Sequence, residues 1–293
     1  MISQEVLKQV RRIQIRTSRV VDNILAGQYH SVFKGQGMEF QEVREYVHGD
    51  DIRSIDWNVT ARTNEPHVKI LTEERELTVM LMVDASGSGR FGSVGRFKNE
   101  LAAELCAVLA FSAIRNNDKV GLIIFTDDVE LYVRPGKGRK HVLRVIREVL
   151  LFQPKRRGTN IPGALHFLNG VTKRRAVAFL VSDFMAARPE DALRIGIKHR
   201  DVIEVGVTDP REETLPRVGL VYAKDSETDR EVLINTNDAD VRHEYTLRAR
   251  ARERTRDAIF LRTRVDAIHV RTDRPYADEL YRFFRMRERR YAS

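Results

Sequence analysis

Cysteine, tryptophan and proline are scarce in this chain of 293 residues, which holds one, one and eight of them respectively. A lone cysteine excludes an intramolecular disulfide. Cys106 lies within the apolar stretch 101–109, where a buried, inert thiol is expected, and such cysteine usage points to a cytosolic location. Long apolar runs are missing too: nothing approaches the roughly 18 consecutive residues of a membrane span. The opening MISQEVLKQVRRIQIRTSR interleaves charge with apolar residues, unlike the core of a secretory signal, so no membrane anchor is expected. Several catalytic signatures have no counterpart. The 8 histidines include no H-E-x-x-H, no Walker A loop exists, and neither Ser86 nor Ser88 has the flanking glycines of a nucleophile elbow. Aspartyl phosphotransfer would need an acid two residues after Asp84, where Ser86 stands.

Charge, by contrast, is abundant, at 32% of residues with a formal net charge of +9. Residues 1–76 carry 11 basic and 12 acidic groups, 77–237 carry 25 and 20, and 238–293 carry 15 and 10, so the basic surplus begins only after the first quarter. Forty of the 51 basic residues are arginine, whose planar fork pairs with carboxylates and phosphates alike. An apolar fraction of 42% suits one large folded domain or two modest ones.

Periodicity divides the chain at about residue 76. Residues 1–27 show the mixed three and four spacing of a helix, and 28–76 hold scattered glycines with an acidic and aromatic cluster, as expected of a small, irregular or short-stranded unit. From Leu77 the pattern changes. Apolar runs at 77–83, 120–125, 176–181 and 202–207 read as strands buried on both faces, and a further short strand near 265–270 would extend the sheet. Helix-length segments at 97–116, 141–152, 189–200, 239–262 and 276–290 alternate with them, while 209–237 reads as a hairpin or surface excursion. The expectation is an α/β fold over 77–293, an open, mostly parallel sheet with helices on both faces, preceded by a small N-terminal segment over 1–76.

In such sheets ligands sit beyond the carboxyl ends of the strands. After the first buried strand come Asp84, Ala85, Ser86, Gly87, Ser88, Gly89, Arg90, Phe91 and Gly92. The glycines match G-x-G-x-x-G, but Asp84 would set a carboxylate beside a pyrophosphate, and no acid stands about 20 residues onward. The oxygens form D-x-S-x-S, three hard donors able to converge on one cation. A plain Ser/Gly turn in which Asp84 caps the next helix is the simpler account of the same residues. Thr159, opening a later helix, and Asp183, ending the third buried strand, add a hydroxyl and an acid at equivalent places.

Asp84, Ser86, Ser88, Thr159 and Asp183 resemble, in order and context, the metal-ion-dependent adhesion site of the von Willebrand factor type A domain, a Rossmann-like fold. FQEVREY at 40–46, GDDIR at 49–53, IDW at 55–57 and EER at 73–75 resemble the N-terminal signature of the bacterial domain of unknown function family fifty-eight, whose members carry an A domain of this type. The resemblance implies Mg2+, or the related hard cations Mn2+ and Ca2+, held by Ser86, Ser88 and Thr159, with Asp84 and Asp183 acting directly or through water. It also implies a protein partner that supplies an acidic residue to the metal, namely a MoxR-type AAA ATPase, with chaperone or assembly work and no catalysis.

Asp50, Asp51, Arg53, Asp56 and Trp57 form a further candidate partner-binding edge; the competing account is an internal salt-bridge network with Arg44 and Arg62, in which Trp57 is buried against the A domain. The arginines of the last two helices admit two readings, a solvated face or a nucleic-acid contact, although aromatic residues for base stacking are few there. A metal-dependent hydrolase is the third functional class considered.

Overall fold

Each apolar run from residue 77 onward forms a strand, and each strand lies where a sheet covered on both faces needs it. The computed structural model describes residues 10, 12–17, 20–21, 29, 32, 39–72, 77–172, 176–185, 201–224 and 229–292. The expected helix at 189–200 and most of the one at 1–27 lie outside these; of the latter, 12–17 are helical. The chain forms two compact units, Phe33–Glu76 and Met1–Val32 together with Leu77–Ser293.

The smaller unit pairs β1 (Glu39–Glu45) with β2 (His67–Thr72) in an antiparallel ladder interrupted between Phe40 and Glu42. Between these strands, α1 (Trp57–Thr63) starts at Asp56, whose carboxylate accepts from the Asn58 and Val59 N–H groups, and ends at Asn64 in a left-handed conformation. Such caps satisfy backbone groups that a seven-residue helix leaves open at its ends.

The larger unit is built on a six-stranded sheet. In chain order its elements are β3 (Thr78–Asp84), α2 (Lys98–Arg115), β4 (Lys119–Phe125), β5 (Val129–Gly136), α3 (Arg139–Leu151), α4 (Ile161–Val171), β6 (Ala176–Ser182), β7 (Asp201–Thr208), α5 (Pro210–Glu213), β8 (Leu220–Lys224), β9 (Glu231–Asn235), α6 (Ala239–Thr263), β10 (Asp266–Arg271) and α7 (Ala277–Ala292). The strand order is β10-β7-β6-β3-β4-β5. All neighbours are parallel except β4 and β5, while β8 and β9 form a separate antiparallel hairpin. Edge strand β5 was not legible as a strand because only Val133 along it is buried.

Alternation along β3 divides the core. Met80 and Met82 join Ile123, Phe125, Ala178 and Leu180 in a cluster covered by α4 and by Ile259 and Phe260 from the end of α6. Val79, Leu81 and Val83 therefore face the opposite side, and α2 lies against β3, β4 and β7. Thirteen of the 18 residues of α2 are buried, including Cys106, whose thiol burial pushes up to about 12. The thiol is inert, as its apolar setting suggested. Gly121 allows β4 to pass the Met80 side chain, since a Cβ there would meet its Sδ at 2.6 Å.

Candidate metal centre

Connections from β3 run to β4 on one side of it, and β6 lies on the other. This reversal of direction opens a crevice at the carboxyl ends of β3 and β6. Asp84 is the last residue of β3, Ser182 the last of β6, and Asp183 follows. The loop after β3 is pinned by backbone bonds, Ala85 N–H to Phe125 O (2.9 Å) and Gly87 N–H to Arg157 O (3.0 Å). Thr159 is held by its neighbours: the Gly158 N–H donates to Asp127 Oδ2 at 3.1 Å, so closely that a Cβ at residue 158 would fall 2.3 Å from Oδ1. Asn160 caps α4 through the Gly163 N–H at 2.9 Å.

The hydroxyl and carboxylate oxygens meet. Ser86 Oγ lies 3.0 Å from Ser88 Oγ. Asp84 accepts from the Ser86 N–H (2.9 Å) at Oδ1 and from the Ser182 hydroxyl (2.7 Å) at Oδ2, with the Thr159 hydroxyl 3.3 Å from Oδ2. Asp84, Ser86, Ser88, Lys98, Ser182 and Asp183 line a cavity of about 20 Å³, the size of one water or one ion. Burial raises the Asp84 carboxyl above its usual range, a shift that the Ser182 hydrogen bond opposes and the nearby Asp183 charge reinforces. A cation in the cavity would favour the ionised form. Of the five residues expected from the D-x-S-x-S pattern and its partners, four line this cavity and Thr159 joins through Asp84.

The donor set suits a hard cation. Two carboxylates and several neutral hydroxyls match the oxygen preference of Mg2+, which keeps part of its water. Among the described residues no cluster of three or more His, Cys, Asp or Glu side chains is arranged to hold a metal.

Two participants escaped the sequence reading: Lys98 and Glu212. The Lys98 ammonium lies 2.5 Å from Asp183 Oδ2 and 2.5 Å from Glu212 Oε1, with its side chain only 3% exposed. Burial opposes its charge, yet the two carboxylates outweigh burial and raise its pKa. Glu212 is raised as well, because desolvation exceeds the stabilisation from Lys98. The available signal was a lysine opening a largely apolar helix.

The loop 91–97 turns its polarity inside out. The Ser93 N–H and hydroxyl donate to Asp209 at 2.9 and 2.5 Å, and Arg96 donates to the carbonyls of Thr272 (2.8 Å) and Arg274 (2.6 Å). Phe91, Val94 and Phe97 are exposed instead, as is Met185, two residues beyond Asp183. The cavity thus has apolar side chains next to it in sequence on both contributing loops.

A model of the family described as "Protein of unknown function DUF58" matches residues 42–256. The chain belongs to the DUF58 family. An uncharacterized protein of Mycobacterium tuberculosis (strain ATCC 25618 / H37Rv) is 31% identical over 289 residues, which is 96% of this DUF58 chain and 89% of the relative. Two solved structures are similar at 16% identity, each aligned over 73% of this chain and 99% of the other. They are the conserved hypothetical protein BatB from Bacteroides thetaiotaomicron (TM-score 0.46) and an aerotolerance-related membrane protein from Bacteroides fragilis (TM-score 0.47).

The N-terminal signature of the DUF58 chain is held together by caps and a few ion pairs. Trp57, the first residue of α1, is 66% exposed. Asp50 pairs with Arg44 (2.6 Å), whose hydrogen bond holds its carboxyl below the usual range. Asp51 and Asp56 are helix caps, and Arg53 and Arg62 make no ion pair among the described residues. Caps and two separate ion pairs, Arg44 with Asp50 and Lys69 with Asp56, stand where a lattice was expected, because short helices spend their carboxylates on backbone N–H groups.

No helix among the described residues is long and apolar enough to cross a membrane. A cavity of about 630 Å³ lies beside the centre, lined among others by Asp183, Glu212, Arg252, Arg256, Phe260 and His269. Near it, Glu204 is fully buried in β7 with neither oxygen hydrogen-bonded, and Arg256 Nε is 4.0 Å away, too far to donate.

Proposed function

We propose that this DUF58 protein is a Mg2+-dependent protein-interaction module, working in the cytoplasm with a MoxR-type AAA ATPase in protein assembly or chaperone-like activation. The observation that supports the reading is the convergence of Asp84, Ser86, Ser88, Ser182 and Asp183 on one ion-sized cavity at the strand switch point. Neutral hydroxyls leave a bound cation electrophilic enough to take one more oxygen from a partner carboxylate. The exposed Phe91, Val94 and Phe97 favour a protein as that partner, since a metal-bridged acid contact gains affinity from apolar surface next to it. The module acts by binding and not by catalysis.

Calorimetric titration with Mg2+ tests the reading. Asp84→Ala and Ser86→Ala fold normally by circular dichroism and lose Mg2+ uptake; uptake equal to the wild type in both variants overturns it. Capture of the ATPase by the immobilised protein is lost in EDTA and restored by Mg2+, and capture indifferent to chelation opposes the metal-bridged contact.

A further inference from the structure

Lys98 is an unusual residue for its place. It is the first residue of the 18-residue helix α2, where the positive end of the helix dipole disfavours a cation. Its side chain is almost fully buried, and a buried ion pair returns little net stability after the cost of desolvation. Neither helix formation nor packing calls for a lysine there. The surroundings do: the ammonium lines the same small cavity as Asp84, Ser86 and Ser88, and it is shared between two carboxylates at equal distance.

We propose that Lys98 is the resident cation of this centre, neutralising Asp183 and thereby setting how tightly a divalent ion is held. The inference rests on the metal-binding reading of the same cavity. Asp183 has both oxygens engaged by the protein, Oδ2 by Lys98 and Oδ1 by the Met185 N–H at 3.1 Å. An incoming Mg2+ meets one carboxylate, Asp84, with its charge uncommitted to a cation, and a second whose charge is already balanced. Metal affinity in the isolated protein is held down, and a partner carboxylate that completes the charge balance then tightens metal and partner together, as linkage requires. Glu212 is the counterweight. Its Oε2 is fixed by the Asp209 N–H at 2.9 Å while Oε1 draws part of the Lys98 charge away from Asp183.

Removing either member of the pair therefore moves Mg2+ affinity in opposite directions. In the full chain, Lys98→Met frees Asp183 and raises Mg2+ affinity on the order of tenfold, as expected for one unit charge removed near a divalent ion. Glu212→Gln leaves Lys98 wholly on Asp183 and lowers affinity several-fold. Titration calorimetry with Mg2+ alone reads both, with thermal melts to establish folding. A merely structural salt bridge would weaken binding in both variants, and that result, or unchanged affinity in both, overturns the proposal. If Lys98→Met does not fold, Glu212→Gln decides alone: a loss of affinity supports the proposal and wild-type affinity refutes it. Absence of Mg2+ binding in the wild type and both variants is the distinct outcome in which the metal reading itself fails and takes the proposal with it.

Discussion

Two clusters of buried charge stand in the same unit and are resolved in opposite ways. At the carboxyl ends of β3 and β6, Lys98 has two carboxylates at hydrogen-bonding distance, and it stays charged although burial opposes it. Beneath α6, Glu204 is equally buried, but its only cationic neighbour, Arg256, comes no closer than 4.0 Å among the described residues. Desolvation wins there over the Arg256 charge, and the Glu204 carboxyl rises well above its usual range. His269, on the strand beside it, is driven down to about 4 by burial and then by Arg256. Burial alone does not decide ionisation. Direct hydrogen bonds between opposite charges offset part or all of what desolvation takes: they win at Lys98, and fall short at Glu212.

The largest effect comes from breaking the satisfied cluster. Lys98→Met leaves Asp183 and Glu212 buried without their cation, and unfolding in denaturant should show a loss of about 3–5 kcal/mol without metal, partly recovered in Mg2+. The Glu204 cluster responds less and with pH. Because the folded carboxyl binds its proton more tightly than the unfolded chain does, native stability from this group is full at and below the unfolded value near 4.5 and declines as pH rises through the folded value. His269 has the opposite sign: its neutral native form contributes above 6.5, and that contribution is lost as pH falls toward about 4. Glu204→Gln removes the first slope. Melting temperatures across the pH range should show the variant gaining on the wild type as pH rises, by on the order of 1 kcal/mol on the alkaline side; a difference independent of pH would mean that Glu204 is ionised in the native state throughout. The smallest effect on stability belongs to the inverted loop. Phe97→Ser should change stability by no more than about 0.5 kcal/mol, because an exposed side chain returns little on folding, and leave Mg2+ affinity unchanged while weakening capture of the ATPase; a large loss of stability would show that the side chain packs against its neighbours.

Much of the fold was legible because parallel strands buried on both faces read as continuous apolar runs, and four such runs are β3, β4, β6 and β7, while β10 is a broken run at the sheet edge. Edge strand β5 alternates apolar and charged residues and ends in Pro135 and Gly136, so it left no comparable mark. The five oxygen-bearing residues that gather at the strand ends stood out through strand-end position and spacing. Their supports were not. Lys98 stands ten residues past Ser88 in sequence, and Glu212 a further 114 residues away from it. Arg287 shows the same gap: counted with the solvated arginines of the last helix, it is buried at 2% exposure against Asp201 and Asp266.

The chain by itself determined the kind of sheet, the order of its strands along the sequence and the residues that stand at strand ends, because these follow from local apolar periodicity and from turn chemistry. Only the tertiary structure decided which charges are neutralised, that Lys98 shares the cavity with the metal-type oxygens and that Trp57 faces solvent. Those outcomes depend on distances between residues far apart in sequence. A difference of an ångström or two separates a hydrogen-bonded ion pair from a buried carboxyl whose pKa burial pushes up.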